Sequence, residues 1–144
     1  MPRGVTSARG VLLDTHVWIR LQMLSHPLST EAIRAIENAG ALRLVYVPAI
    51  SIWEIAMLTR RKRLQLDMPV RRWVAEALDK LGIQLLPLSI DIAIEAVELP
   101  EPMYKDPADR MIVASARVEG LTLITSDKPM LRVARNIGMD CVQA

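Results

Sequence analysis

Phenylalanine is absent from this chain of 144 residues, and its aromatic side chains are three tryptophans and two tyrosines. The core must therefore be mostly aliphatic. A lone cysteine, Cys141, excludes an internal disulfide. The two histidines, His16 and His26, offer no zinc pair, and no Cys-x-x-Cys, Gly-x-Ser-x-Gly elbow or Walker loop is present. The longest apolar stretch, around residues 44 to 53, carries Pro48 and Ser51 and falls far short of the ~18 residues that span a bilayer. No membrane-spanning helix is expected. The first ten residues show neither the apolar core nor the cleavage site of a secretory signal, so a reducing cytoplasm is the expected compartment. Residues 1–10 are expected to form a flexible extension ahead of one domain over 11–144.

Apolar residues, in contrast, are abundant, at 51% with a mean hydropathy of +0.23. Without a membrane span, that excess predicts either a densely filled aliphatic core or an apolar surface that meets a partner. The net charge of +2 says little about nucleic acid, but basic residues cluster locally. Residues 60 to 63 read Arg-Arg-Lys-Arg, Arg71 and Arg72 follow, and Lys105 and Arg110 flank Asp106 and Asp109. Arg60, Arg61, Lys62, Lys105 and Arg110 are candidates for contact with a phosphate backbone. A basic run at a helix C-terminus is also favoured by the macrodipole alone.

Short β-branched runs alternate with stretches of helical periodicity, the pattern of an α/β fold with a parallel sheet. Strands are predicted at 11–13, 42–47, 83–88, 121–125 and near Asp140 to Val142. Helices are predicted at 15–24, 30–39, 49–61, 70–81, 90–97, 107–119 and 128–136. Gly40, Gly82, Gly120 and Gly138 fall at or just past several helix ends, as C-capping glycines do.

Four acids, Asp14, Glu54, Asp109 and Asp127, stand where a strand gives way to a helix or within a helix's first turns. Each has a structural explanation. Ser51-Ile-Trp-Glu54 matches a capping box. Asp106-Pro107-Ala108-Asp109 offers an N-cap, a proline at the first helical position and an acid that the macrodipole favours. Asp14 and Asp127 each precede a predicted helix and are also N-cap candidates. Taken together the four say more, because serine, threonine or asparagine would cap as well. Hard cations such as Mg²⁺ and Mn²⁺ prefer carboxylate oxygens, and strand ends of one parallel sheet converge on its carboxyl edge. Such a site can activate water against a phosphodiester.

The segments LLDTHVWI (12–19), SIWEIAML (51–58), DPADRMIVASA (106–116) and LTLITSD (121–127) resemble, in order and spacing, PIN-domain nucleases of the VapC toxin type. The resemblance spans residues 11 to about 142. It implies a three-layer PIN-like fold with a five-stranded parallel sheet flanked by helices. It also implies a Mg²⁺- or Mn²⁺-dependent endoribonuclease acting on RNA, a homodimer, and a cognate antitoxin seated in an apolar groove near the site. Asp14, Glu54, Asp109 and Asp127 match the family's metal-binding acids. Thr125 and Ser126 stand beside the fourth acid as auxiliary hydroxyls, and Asp106 is an auxiliary acid or a cap. Trp53, Ile55, Met57 and Leu58 are candidates for the groove or the core.

Two departures limit the transfer. Tyr104 and Lys105 stand where related toxins often have a histidine, and Arg61-Lys62 replaces a frequent Gly-Lys. A different class of function also fits strand-end carboxylates: a metal-binding regulatory or partner-binding module of receiver-like shape. Against it, Asp14 is followed by Thr15 and His16, so neither the acidic pair of a receiver nor Asp-x-Asp is present.

Overall fold

A computed structural model describes residues 10–80, 82–100 and 106–144. The extension expected over residues 1–10 lies outside the described residues except for Gly10. That glycine is buried where the chain enters the sheet, and its carbonyl accepts from the Thr122 amide at 3.0 Å. A Cβ there would stand 2.9 Å from Leu121 Cδ2 and 3.0 Å from the Leu44 carbonyl oxygen, so only glycine fits without displacement.

Five strands form one wholly parallel sheet: β1 (Val11–Leu13), β2 (Val45–Pro48), β3 (Ile83–Leu86), β4 (Thr122–Thr125) and β5 (Cys141–Gln143). Their spatial order is β3-β2-β1-β4-β5. The helices are α1 (Thr15–Met23), α2 (Thr30–Gly40), α3 (Ala49–Arg60), α4 (Val70–Leu78), α5 (Ile90–Glu98), α6 (Pro107–Glu119) and α7 (Lys128–Asn136). Among the described residues none is long and apolar enough to cross a membrane.

The central strand is buried on both faces, as a parallel strand between helical layers must be. Val11 and Leu13 point to one side and Leu12 to the other. Val11, Leu13, Val45, Val47 and Ile124 pack with Trp18 of α1, Ile36 of α2, Ile55 of α3 and Trp73 of α4. Leu12 and Leu123 pack on the opposite side with Ile112 and Val113 of α6 and Met130 and Val133 of α7. Helix α5 lies further out, against α6 through Ile92, Ala96 and Ala114. Trp18 and Trp73 meet edge to face at 5.5 Å, a geometry worth about 0.5–1.5 kcal/mol beyond the area buried.

The chain builds β1, β2 and β3 outward in one direction and then returns to lay β4 on the other side of β1. That reversal opens a crevice at the carboxyl ends of β1 and β4, where open α/β sheets bind ligands. Register completes the arrangement. Leu13 lies opposite Ile124, so Asp14, the first residue past β1, stands beside Thr125, the last residue of β4.

Candidate functional site

Asp14 follows β1 and holds the N-cap position of α1, yet its side chain makes no capping bond. It is 4% exposed, and its Oδ2 accepts a 2.6 Å hydrogen bond from Thr125 Oγ1. Thr125, fully buried, in turn accepts from the Asp127 amide at 3.0 Å. Burial, the dominant influence, raises the Asp14 pKa, and the Thr125 hydroxyl and His16 oppose it. A carboxylate hidden from water without a cap to make is costly for a fold, and such strain gathers at functional sites.

Glu54 comes from the middle of α3, and the capping box expected at Ser51 does not form. The helix opens at Ala49 with Pro48 as its N-cap residue, so Ser51 is already the third helical residue and Glu54 the sixth. The physical reason is Pro48, which ends β2 and, with its fixed φ, passes directly into the helix without a loop. Glu54 therefore turns elsewhere. Its Oε1 lies 2.5 Å from Thr15 Oγ1, which lies 2.7 Å from Ser51 Oγ. Burial raises the Glu54 pKa first, the Thr15 hydrogen bond lowers it, and Asp14 and Asp106 raise it further.

Asp106 and Asp127 are caps. Asp106 Oδ1 accepts from the Ala108 amide at 2.9 Å and the Asp109 amide at 3.4 Å, with Pro107 at the first helical position. Asp127 Oδ1 accepts from the Met130 amide at 3.0 Å. Both also act as charges on the centre, because Asp109 is held up by them. The Asp109 carboxyl is pushed up to about 7, chiefly by burial and then by Asp106, Asp14, Asp127 and Glu54, all of like sign.

Glu54, Asp106 and Asp109 each offer an oxygen within 4.8 Å of the others. Asp14 and Asp127 stand close enough to act on Asp109 electrostatically. Like charges driven together this way are unfavourable alone and become favourable around a cation, and an all-oxygen donor set suits Mg²⁺ or Mn²⁺. The donor chemistry fits such an ion. The structure thus gathers Glu54, Asp106 and Asp109 and sets Asp14 and Asp127 within electrostatic reach of Asp109.

The other expected residues divide. Thr125 serves Asp14, whereas Ser126 is exposed, accepts from Arg20 Nη1 at 2.6 Å and donates to the Ala144 carbonyl at 3.1 Å. Arg60, Arg61 and Lys62 are exposed at the end of α3, about 10 Å along the helix axis from Glu54 at 1.5 Å per residue. Arg110 donates through Nε to the Ala96 carbonyl at 2.8 Å and through Nη2 to that of Val97 at 3.1 Å, closing the C-terminal end of α5. Tyr104 and Lys105 lie outside the described residues. Ile55 is in the core and Leu58 packs against it, while Trp53 is 56% exposed. Two hydroxyls that the sequence did not assign to the site, Thr15 and Ser51, are fully buried within it. Their only sequence signal is position, Thr15 directly after one acid and Ser51 three residues before another.

The PIN domain family model matches residues 11–136. A curated relative, Ribonuclease VapC22 of Mycobacterium tuberculosis, is 37% identical over 118 residues, covering 82% of this chain and 87% of the relative. Among solved structures, the DNA-bound VapBC of Salmonella typhimurium is similar with a TM-score of 0.65 at 20% identity, covering 94% of this chain and 98% of that one. FitAcB of Neisseria gonorrhoeae is similar with a TM-score of 0.57 at 23% identity, covering 91% and 95% respectively.

Proposed function

The chain belongs to the PIN domain family, and from that membership we propose that it is a metal-dependent endoribonuclease, the toxin of a toxin–antitoxin pair, that hydrolyses RNA phosphodiester bonds. The observation that carries the reading is a convergence of acids in which Asp14 and Glu54 cap nothing. The 37% identical relative bears the name of a ribonuclease.

Asp14, Glu54, Asp109 and Asp127 would hold the ion, with Asp106 as an auxiliary acid beside them. Mg²⁺ or Mn²⁺ bound there supplies a water of lowered pKa and positive charge for the phosphodiester. The chain's own residues do the rest. Thr125 fixes which way Asp14 faces, and its acceptance from the Asp127 amide ties the fourth acid to the first. Unneutralised, the carboxylates repel an RNA phosphate, so cleavage requires the cation. Arg60 ends the helix that bears Glu54, Arg61 and Lys62 follow it, all three are exposed, and they hold the RNA backbone.

A protein partner fits the surface. Ile90, Ile94 and Val97 are 79%, 51% and 78% exposed at helical spacing on α5, an apolar stripe of the kind that meets a partner. A cognate antitoxin and a second copy of the chain are the partners proposed for this surface, in the cytoplasm. The receiver-like module is disfavoured by Thr15 and His16 after Asp14, where a receiver needs an acidic pair.

The test is incubation of the purified, antitoxin-free protein with total cellular RNA in Mg²⁺ or Mn²⁺, beside EDTA and the variants Asp14→Asn and Asp109→Asn. Discrete fragments with wild type and metal only are expected. Undiminished cleavage by Asp14→Asn would refute the assignment.

A further inference from the structure

We propose that Ser51 and Thr15 form a buried hydroxyl relay that positions the Glu54 carboxylate for the metal, with Thr15 as the positioning residue. The proposal rests on the metal-nuclease reading above and extends it to residues outside the acid set.

Proton counting fixes the direction of the relay. Ser51 Oγ, Thr15 Oγ1 and Glu54 Oε1 lie in series at 2.7 and 2.5 Å. A hydroxyl has one proton to donate and an ionised carboxylate has none. Thr15 therefore donates to Glu54, which leaves it only lone pairs for Ser51, and Ser51 donates to Thr15. The order is Ser51 to Thr15 to Glu54.

Two other helical hydroxyls behave differently. Thr59 donates to the Ile55 carbonyl at 2.8 Å and Ser115 to the Met111 carbonyl at 2.7 Å, each returning to its own helix one turn back. Ser51 and Thr15 instead reach between α3 and α1 and end on an acid, although both are 0% exposed. The glutamate needs that anchor. Its side chain is long and flexible, it is only partly buried, and the like charges of Asp14 and Asp106 stand near it.

Thr125 holds Asp14 in the same manner, by one hydroxyl on one carboxylate oxygen. Because Thr15 follows Asp14 directly in the chain, its bond to Glu54 also fixes the spacing of these two acids. Partners of this kind orient the groups that touch a metal, and their loss typically weakens metal affinity by about 10- to 100-fold.

The test titrates the full chain with Mn²⁺ and follows the free-ion signal by electron paramagnetic resonance. Wild type is compared with Thr15→Val, Thr15→Ser and Ser51→Ala, each shown folded by thermal melting in EDTA. Thr15→Val should raise the half-saturating Mn²⁺ concentration by about 10- to 100-fold. Thr15→Ser should restore it to near the wild-type value, and Ser51→Ala should give a smaller rise. Wild-type affinity in Thr15→Val would overturn the relay, as would a Thr15→Ser variant that binds no better than Thr15→Val. If Thr15→Val does not fold, Ser51→Ala decides, and unchanged affinity there overturns the relay. A wild type that binds no Mn²⁺ overturns the metal-nuclease reading itself, a result distinct from binding that the variants leave unmoved.

Discussion

Lowering the pH from 8 to 5 in EDTA should raise the melting temperature of this protein, the reverse of ordinary acid destabilisation. The cause is Asp109, whose carboxyl is pushed from 3.8 to about 7 by burial and by the acids around it. Between those two values the folded state keeps a proton that the unfolded chain has released. Stability is then fully present below the unfolded pKa and is lost as pH rises through the folded one. Burial raises Asp14 and Glu54 as well, so their contributions have the same sign. Of that rise of about three units only the two between pH 5 and 7 fall in this range, and at about 1.4 kcal/mol each they give a ceiling of about 3 kcal/mol. Asp109 is only half-buried, and solvent screening reduces this to about 2 kcal/mol. For a domain of this size that is about 4–8 °C in melting temperature.

The assay is a set of thermal melts between pH 5 and 8 in EDTA, for wild type and Asp109→Asn. The variant should flatten the pH slope and melt higher than wild type at pH 8, where the removed charge is most unfavourable. Saturating Mg²⁺ should stabilise wild type at pH 8 by mass action and offset the slope. A wild-type protein that becomes more stable as pH rises from 5 to 8 in EDTA would refute the reasoning, as would an Asp109→Asn variant with an unchanged slope.

Asp106→Asn keeps an equally good helix cap, so the urea midpoint should scarcely move. It removes a like charge that raises Asp109, so the acid limb of the cleavage profile should shift to lower pH. A loss beyond about 10-fold at pH 8 would instead make Asp106 a ligand. Arg110→Ala frees the Ala96 and Val97 carbonyls and should cost about 1–2 kcal/mol in urea denaturation. Arg61→Ala, in contrast, should leave stability unchanged and reduce the salt slope of RNA binding by about 0.7, the value for one single-strand phosphate contact. Leu12→Ala empties a fully buried position in the central strand and should cost about 2–5 kcal/mol, read from the same urea curves.

Local pattern carried most of the elements. The strand predicted at 11–13 is Val11–Leu13, and the helices predicted at 107–119 and 128–136 have those bounds. Proline and acid spacing marks their starts, and a C-cap glycine, Gly120, follows the first of them in a left-handed conformation. Boundaries slipped where a signal was ambiguous. The helix predicted at 70–81 ends at Leu78, and the strand predicted from residue 42 begins at Val45. The Ser51–Glu54 spacing fits a capping box as well as it fits two interior positions, and only the direct passage from β2 through Pro48 separates the two.

The sequence by itself determined the kinds of elements, the aliphatic core and the inventory of acids, because periodicity and side-chain chemistry are local properties. Strand order is not local. It arises from the return of β4 to the far side of β1, and it decides which acid does what. Asp14 and Asp127 occupy the same local position, after a strand and before a helix, and only Asp127 caps its helix. Asp14 emerges from the central strand beside Thr125, a neighbour 111 residues away in the chain, whose hydroxyl holds one carboxylate oxygen. Tertiary structure thus turned one of two equivalent caps into a buried carboxylate facing the other acids.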